Sequence, residues 1–305
     1  MKRLSLLRIT DCELRVNEDY AMKTTLVTDI ALLRHAIAQA RRSGRTIGLV
    51  PTMGALHAGH LSLIKAARAE TDFVVVSIFV NPTQFGPKED FNRYPRPLER
   101  DLELCGQAGA DLVFHPQPEV MYPSDYRTFV EVTGLQDVLC GASRPGHFRG
   151  VATVVLKLLN LVQPDRAYFG QKDAQQVRIV QQMVRDLNVP VEIRVCPIVR
   201  EADGLALSSR NEYLEAEERR QATVLHRALT KAQRRIEAGE HDAAVVRQVM
   251  VEQIASVPGA VLDYAAVVDA DSLQALDRID AERPVLLALA VRFGSTRLID
   301  NLLIR

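Results

Sequence analysis

Neither sign of charge prevails in this sequence: Lys+Arg and Asp+Glu stand at 38 each over 305 residues. A general binder of nucleic acid or of an anionic membrane carries a basic excess, so the balance disfavours both partners and points to small substrates. Cysteine is scarce. Cys12, Cys105, Cys140 and Cys196 lie far apart and form no C-x-x-C pair, which speaks against a structural zinc site. Sparse, scattered thiols suit a reducing cytoplasm. No apolar run reaches the ~20 residues that cross a bilayer. The first residues lack the continuous apolar stretch of a signal peptide, because Asp11, Glu13, Glu18 and Asp19 interrupt it. No internal repeat, low-complexity tract or Ser/His/Asp or Cys/His nucleophile pattern is present.

What is there is ordinary soluble composition, 47% apolar and 25% charged, in a chain long enough for two domains. Residues 1–21 read as an N-terminal extension, disordered or the product of a mis-assigned start, with Met22-Lys23-Thr24 opening the fold. Residues 22–198 alternate strands and helices. Helical stripes fall at 29–42, 60–70, 97–108, 151–162 and 170–188, and strand-like runs at 46–50, 73–80, 111–114, 166–169 and 191–196. That alternation predicts βαβ crossovers and a mostly parallel, doubly wound α/β sheet. Residues 199–305 change character. Charged helices at 215–237 and 241–256 and strands at 260–268, 285–291 and 296–299 predict a smaller α+β domain, with the boundary near Pro197.

The most informative stretch is Pro51-Thr52-Met53-Gly54-Ala55-Leu56-His57-Ala58-Gly59-His60, between an apolar strand and an amphipathic helix. It sets two imidazoles and Gly59 at a helix N-terminus, where free N–H groups and the helix dipole favour phosphate. In doubly wound sheets ligands bind beyond the carboxyl ends of the strands. The loops at His57, Gln84 and Lys172 each follow a strand, so they share that edge. Lys172 can set a point charge on a phosphate, with Asp173 as a helix-start acid. Ser208-Ser209-Arg210 offers hydroxyls and a fork-shaped cation, or a turn that caps the next helix. Arg144 and His147, in a loop read over 141–150, can clamp an anion or stand in solvent. Gln84 and Gln176 can read hydroxyls and carboxylates. Asp101, on the exposed side of its helix, is a solvated acid or a Mg²⁺ ligand. His35, His115, His226 and His241 read as surface or structural groups.

These residues together resemble the pantothenate synthetase (pantoate–β-alanine ligase) family. The likeness rests on the stretch from Pro51 to His60, on Phe79-Val80-Asn81-Pro82-Thr83-Gln84-Phe85, Arg144-Pro145-Gly146-His147-Phe148 and Phe169-Gly170-Gln171-Lys172-Asp173, and on Arg200-Glu201-Ala202-Asp203-Gly204-Leu205-Ala206-Leu207-Ser208-Ser209-Arg210-Asn211. It covers residues 22–305. The resemblance implies an ATP-dependent ligase that adenylates pantoate, releases pyrophosphate and passes the acyl group to β-alanine, giving pantothenate and AMP. It implies a Rossmann-like first domain, a small C-terminal lid and a cytoplasmic homodimer. ATP would be bound by Met53, Gly54, Ala55, Leu56, His57, Ala58, Gly59 and His60, by Gly170, Gln171, Lys172 and Asp173, and by Val199, Leu207, Ser208, Ser209 and Arg210. His57, His60, Lys172 and Arg210 would be catalytic. Gln84, Gln176, Asn81 and Arg144 would meet pantoate and β-alanine, and Asp101 would stand where the family has a Mg²⁺-associated acid, although Arg100 beside it replaces a second acid. Two other readings remain at this stage. One is another H-x-G-H nucleotidyltransferase, such as an adenylyltransferase or a class I aminoacyl-tRNA synthetase; the other is a nucleotide-sensing module.

Overall fold

The computed structural model describes residues 24–87, 89–280 and 282–305, and the backbone alone at 5–9 and 12–16. In chain order the strands are β1 (Ser5–Ile9), β2 (Cys12–Val16), β3 (Thr25–Val27), β4 (Ile47–Thr52), β5 (Phe73–Ile78), β6 (Leu112–Phe114), β7 (Arg166–Gly170), β8 (Glu192–Cys196), β9 (Ala260–Asp269), β10 (Val285–Phe293) and β11 (Thr296–Ile304). The helices are α1 (Ile30–Arg42), α2 (Ala58–Glu70), α3 (Leu98–Ala108), α4 (Pro118–Met121), α5 (Cys140–Ser143), α6 (His147–Val162), α7 (Ala174–Asp186), α8 (Ala216–Gln221), α9 (Val224–Glu237) and α10 (Ala243–Ala255). The chain divides into two compact units, and neither is one stretch of sequence. The first comprises Met1–Val132, Gly146–Gly170 and Ile179–Cys196; the second comprises Thr133–Pro145, Gln171–Arg178 and Pro197–Arg305.

The first unit is built on a sheet of order β1-β2-β3-β6-β5-β4-β7-β8. The six strands from β3 to β8 run parallel. Central β4 and β5 are apolar on both faces, as a sheet covered by helices on each side requires: Ile47, Leu49, Val50, Val74, Val75 and Val76 are fully buried. Asp29 caps α1, its carboxylate accepting from the N–H groups of Ala31 and Leu32. The disorder or mis-assigned start expected for residues 1–21 falls largely outside the described residues. Where the backbone is described, β1 and β2 form an antiparallel hairpin that extends the sheet at β3, whose edge would otherwise present unpaired backbone groups.

Three helix boundaries differ from the sequence reading. The helix expected over 170–188 begins only at Ala174, because Gly170 ends β7 and Gln171–Asp173 is a 3-10 turn. The loop expected over 141–150 is partly helical, because α6 begins at His147. Gly146, at φ +82°, makes the sharp entry, so the Gly/Pro-rich run is a turn followed at once by a helix. The single helix expected over 215–237 is two, α8 and α9, broken at Ala222-Thr223.

In the second unit, α9 and α10 cover an antiparallel sheet of order β11-β10-β9. Its core joins Leu225, Ala228 and Leu229 of α9, Val246, Met250 and Ile254 of α10, and Leu287, Leu289 and Val291 of β10.

Candidate active site

In the first unit, chemistry gathers where β4 gives way to α2. Thr52 ends the strand; its hydroxyl donates to the Ser77 carbonyl at 2.8 Å and accepts the Gly54 N–H at 3.2 Å. Gly54 and Ala55 follow in the left-handed region, at φ +82° and +50°. Such a turn leaves backbone N–H groups without helix or strand partners, and buried donors need acceptors. Asp101 of α3 supplies them. Its Oδ2 accepts from Ala55 N–H and its Oδ1 from Leu56 N–H, both at 2.8 Å. A Cβ on Gly54 would stand 2.8 Å from Asp101 Oδ2, so the glycine is what lets the carboxylate approach.

Asp101 is therefore not the exposed acid that its place on α3 suggests. It is 1% exposed. Burial raises its pKa, against the lowering effect of the two N–H bonds and of Arg100 and His115. Each of its oxygens accepts one N–H of the turn, which leaves a lone pair on each. Among the described residues no group of three His, Cys, Asp or Glu side chains could hold a metal ion.

The turn delivers His57 and His60 as a reciprocal cap on α2. His57 Nδ1 accepts from Gly59 N–H at 3.2 Å, and His60 Nδ1 accepts from His57 N–H at 3.4 Å. The rings lie 4.1 Å apart between centroids, inclined by 38°. A backbone amide can only donate, so Nδ1 of each ring is an acceptor. The proton of each neutral ring then sits on Nε2. The pair couples a helix N-terminus with two imidazole N–H donors.

Beyond β5 the chain turns through Pro82–Gln84. Asn81 is 1% exposed and Gln84 8%. Asn81 Oδ1 accepts from the Thr83 N–H at 3.3 Å and from its hydroxyl at 2.9 Å. That fixes the amide, so Asn81 Nδ2 donates to Gln84 Oε1 and to the Gly150 carbonyl, each at 3.1 Å. Gln84 is oriented in turn, with Nε2 reaching Met53 Sδ at 3.0 Å. The Pro51–His60 and Gln84 loops thus meet. His147 Nδ1 stands 2.8 Å from the Gln84 carbonyl, so His147 braces this loop.

The second unit holds the other cations. Gln171–Asp173 is a single 3-10 turn, with Lys172 Nζ 3.7 Å from Asp173 Oδ1. Gln176 is half-buried, whereas its neighbour Gln175 is buried and donates to the carbonyls of Leu135 and Val138 at 2.9 and 2.7 Å. Ser208 does cap the turn that follows, its hydroxyl accepting from Arg210 N–H at 3.3 Å. Leu207 N–H donates to the Val199 carbonyl at 3.0 Å, which joins the two positions. Arg144, Ser209 and Arg210 lie in this unit as well. His115 Nδ1 sits 2.7 Å from the Ile78 carbonyl and His241 Nδ1 3.1 Å from the Ile279 carbonyl.

A buried polar pair was missed in the sequence. Asp300 and Asn301 of β11 are 2% and 3% exposed. Arg200 donates to both oxygens of Asp300 at 2.7 and 2.9 Å. Asn301 bonds the carbonyls of Gln171 and Lys172 at 3.0 and 2.9 Å. Two adjacent polar residues inside an apolar strand were the available signal, since buried polar groups demand partners.

The model of the family described as pantoate-beta-alanine ligase matches residues 25–303. The chain belongs to the pantoate–β-alanine ligase family. It is 61% identical to the pantothenate synthetase of Moorella thermoacetica, over 92% of this chain and 98% of that protein. With the pantothenate synthetase of Acetivibrio thermocellus it shares 56% identity, over 92% and 99%. Among solved structures, pantothenate synthetase from Thermus thermophilus superposes with a TM-score of 0.86 at 50% identity, over 91% of this chain and 98% of that one. Pantoate-beta-alanine ligase from Francisella tularensis, complexed with beta-gamma ATP and beta-alanine, superposes with a TM-score of 0.75 at 35% identity, over 91% and 97%. Family membership fixes the reaction as the joining of pantoate to β-alanine and excludes the sensing-module and tRNA-synthetase readings.

Proposed function

We propose that this ligase works in two steps through a pantoyl adenylate. A pantoate carboxylate oxygen attacks the α-phosphorus of ATP, and pyrophosphate leaves. The β-alanine nitrogen, after losing a proton from its ammonium, attacks the acyl carbon and AMP leaves. The Francisella relative, seen with an ATP compound and β-alanine, supports ATP as the activating substrate.

The observation that carries this reading is the doubly capped start of α2. A carboxylate is already an adequate nucleophile, so the first step calls for alignment and charge stabilisation more than for a base. His57 and His60, protonated on Nε2, act as donors to phosphate oxygens at the N-terminus of α2. His60 thus stabilises charge and does not abstract a proton. A proton taken up at Nδ1 would break the bond from His57 N–H. Met53, Gly54, Ala55 and Leu56 line the same nucleotide-binding turn. Lys172 and Arg210 are the further cations for the phosphates, and Gly170, Gln171, Asp173, Val199, Leu207, Ser208 and Ser209 are the remaining nucleotide contacts. Gln84, its Oε1 engaged by Asn81 Nδ2, presents N–H donors, which suits a pantoate carboxylate or hydroxyl oxygen. Gln176 and Arg144 complete the acid-binding set. Mg²⁺ would supply charge neutralisation at the ATP phosphates, with Asp101, which also anchors the loop, as its candidate carboxylate.

The enzyme is further proposed to be a cytoplasmic homodimer, which light scattering on the purified chain tests for the assembly. The deciding assay supplies ATP, Mg²⁺, D-pantoate and β-alanine and measures AMP and pantothenate. Pantoate-dependent exchange of labelled pyrophosphate into ATP, without β-alanine, isolates the first step. Product formation without any such exchange would rule out the free adenylate route.

A further inference from the structure

We propose that Asn301 is a positioning residue for the nucleotide, acting through the backbone of Lys172. This rests on the reading that Gln171–Asp173 contacts ATP. The turn is only one 3-10 turn long, and two of its carbonyls, those of Gln171 and Lys172, take a bond from outside it. Asn301 holds them from β11. Its Nδ2 donates to the Gln171 and Lys172 carbonyls at 3.0 and 2.9 Å, and its Oδ1 accepts from Gln171 Nε2 at 3.1 Å. Carbonyls only accept, so the amide has one possible orientation. The platform is firm. β11 pairs with β10 from Thr296 to Ile304 without a break.

The neighbouring residue performs the matching task for the second loop. Asp300 is tied to Nη1 and Nη2 of Arg200, and Arg200 also donates to the Gly204 carbonyl at 3.0 Å. That bond clamps the hairpin leading to Ser208-Ser209-Arg210. Asp300 Oδ1 also accepts the Asn301 N–H at 2.8 Å, which joins the two clamps. Two consecutive strand residues therefore fix the backbones of the loops that carry Lys172 and Arg210. Lys172 then has only its side-chain torsions left to order when a phosphate arrives.

Asn301→Ala removes both donors to the turn. Small misplacements of a charge-stabilising group cost on the order of 10²-fold. The KM for ATP in pyrophosphate exchange should rise roughly 10- to 100-fold, while the KM for pantoate stays within about twofold. Asn301→Ser, which keeps one donor, should fall between Asn301→Ala and the parent enzyme. Hydrogen exchange should quicken in the peptide covering 171–178 and not in β10. A folded Asn301→Ala enzyme with the parent KM for ATP and unchanged exchange at 171–178 overturns the proposal. So does a uniform loss of kcat with both KM values unchanged. If Asn301→Ala does not fold, Asn301→Ser decides by the same two readouts. Lys172→Ala is the separate control: a parent-like KM for ATP there defeats the nucleotide reading of the turn itself, whatever Asn301 does.

Discussion

Asp101 accepts the backbone N–H of Ala55 at 2.8 Å, and Ala55 is held at φ +50°. A left-handed conformation costs an L-residue about 1–2 kcal/mol, so a buried carboxylate is stabilising a strained turn directly ahead of His57. Strain of this kind persists only where its surroundings over-determine it. Asp101→Ala leaves the Ala55 and Leu56 N–H groups buried without acceptors. Each such orphan costs about 1–3 kcal/mol. Thermal melts should show a lower midpoint, and the KM for ATP should rise as His57 loses its placement. A variant with the parent melting curve and KM would show that the turn holds itself.

Two roles for His60 differ in which ring nitrogen carries the proton. If its Nε2–H is a donor, His60→Gln, whose amide nitrogen can occupy the Nε2 position, should retain more activity than His60→Asn, which mimics Nδ1. His60→Ala should lose about 10²–10³-fold in pyrophosphate exchange, the usual effect of deleting one stabilising donor. The acidic limb of the pH–rate profile should survive in His60→Gln. Its disappearance would make His60 the base.

Much of this was legible in the sequence for local reasons. The β-branched run read over 73–80, strand at Phe73–Ile78, and the glycine-bearing turn into α2 carry their structure in a few adjacent residues. What escaped depends on distance along the chain. Nothing near Asp101 marks it as buried, because its partners lie 45 and 46 residues away. Asn301 meets Gln171 and Lys172 across 130 and 129 residues. The start of α6 was hidden differently. Gly and Pro at 145–150 signal a loop, but here Gly146 supplies the entry and Gly150 a close approach inside the helix.

His226 gives the second unit a defined response to acid. Its Nδ1 is buried without a partner among the described residues. Burial first, and then the Arg200 charge, lower its pKa, with Asp300 opposing. A base with a depressed folded pKa contributes stability that is present above its unfolded value, about 6.5. That stability is lost as pH falls through the lower, folded value, because the unfolded chain binds more protons there. The melting midpoint should therefore decline as pH is lowered from about 7.5 to about 5.5, a window that brackets the unfolded value, and His226→Phe should flatten that decline. Identical slopes for the two proteins would assign the response elsewhere. Gly204→Ala provides a check on the packing. Gly204 is at φ +92°, and a Cβ there would lie 2.3 Å from His226 Cδ2, so this variant should melt well below the parent.

Gly150 sets two local preferences against each other. It sits inside α6, where alanine would be favoured by about 1 kcal/mol. A Cβ at this position would stand 2.4 Å from the Thr83 carbonyl oxygen and 2.7 Å from Gln84 Cα. These are backbone atoms, which cannot rotate away, and overpacking of this kind costs about 1–3 kcal/mol. The contact should win. Gly150→Ala should push the Pro82–Gln84 turn away from α6, stretching the Asn81 bond to the Gly150 carbonyl and the His147 bond to the Gln84 carbonyl. Because Gln84 carries the donors assigned to pantoate, the KM for pantoate should rise at least about tenfold, the equivalent of about 1.4 kcal/mol, with the KM for ATP much less affected. A more stable enzyme with the parent KM for pantoate would mean that helix preference outweighs the contact and that Gln84 does not depend on this packing.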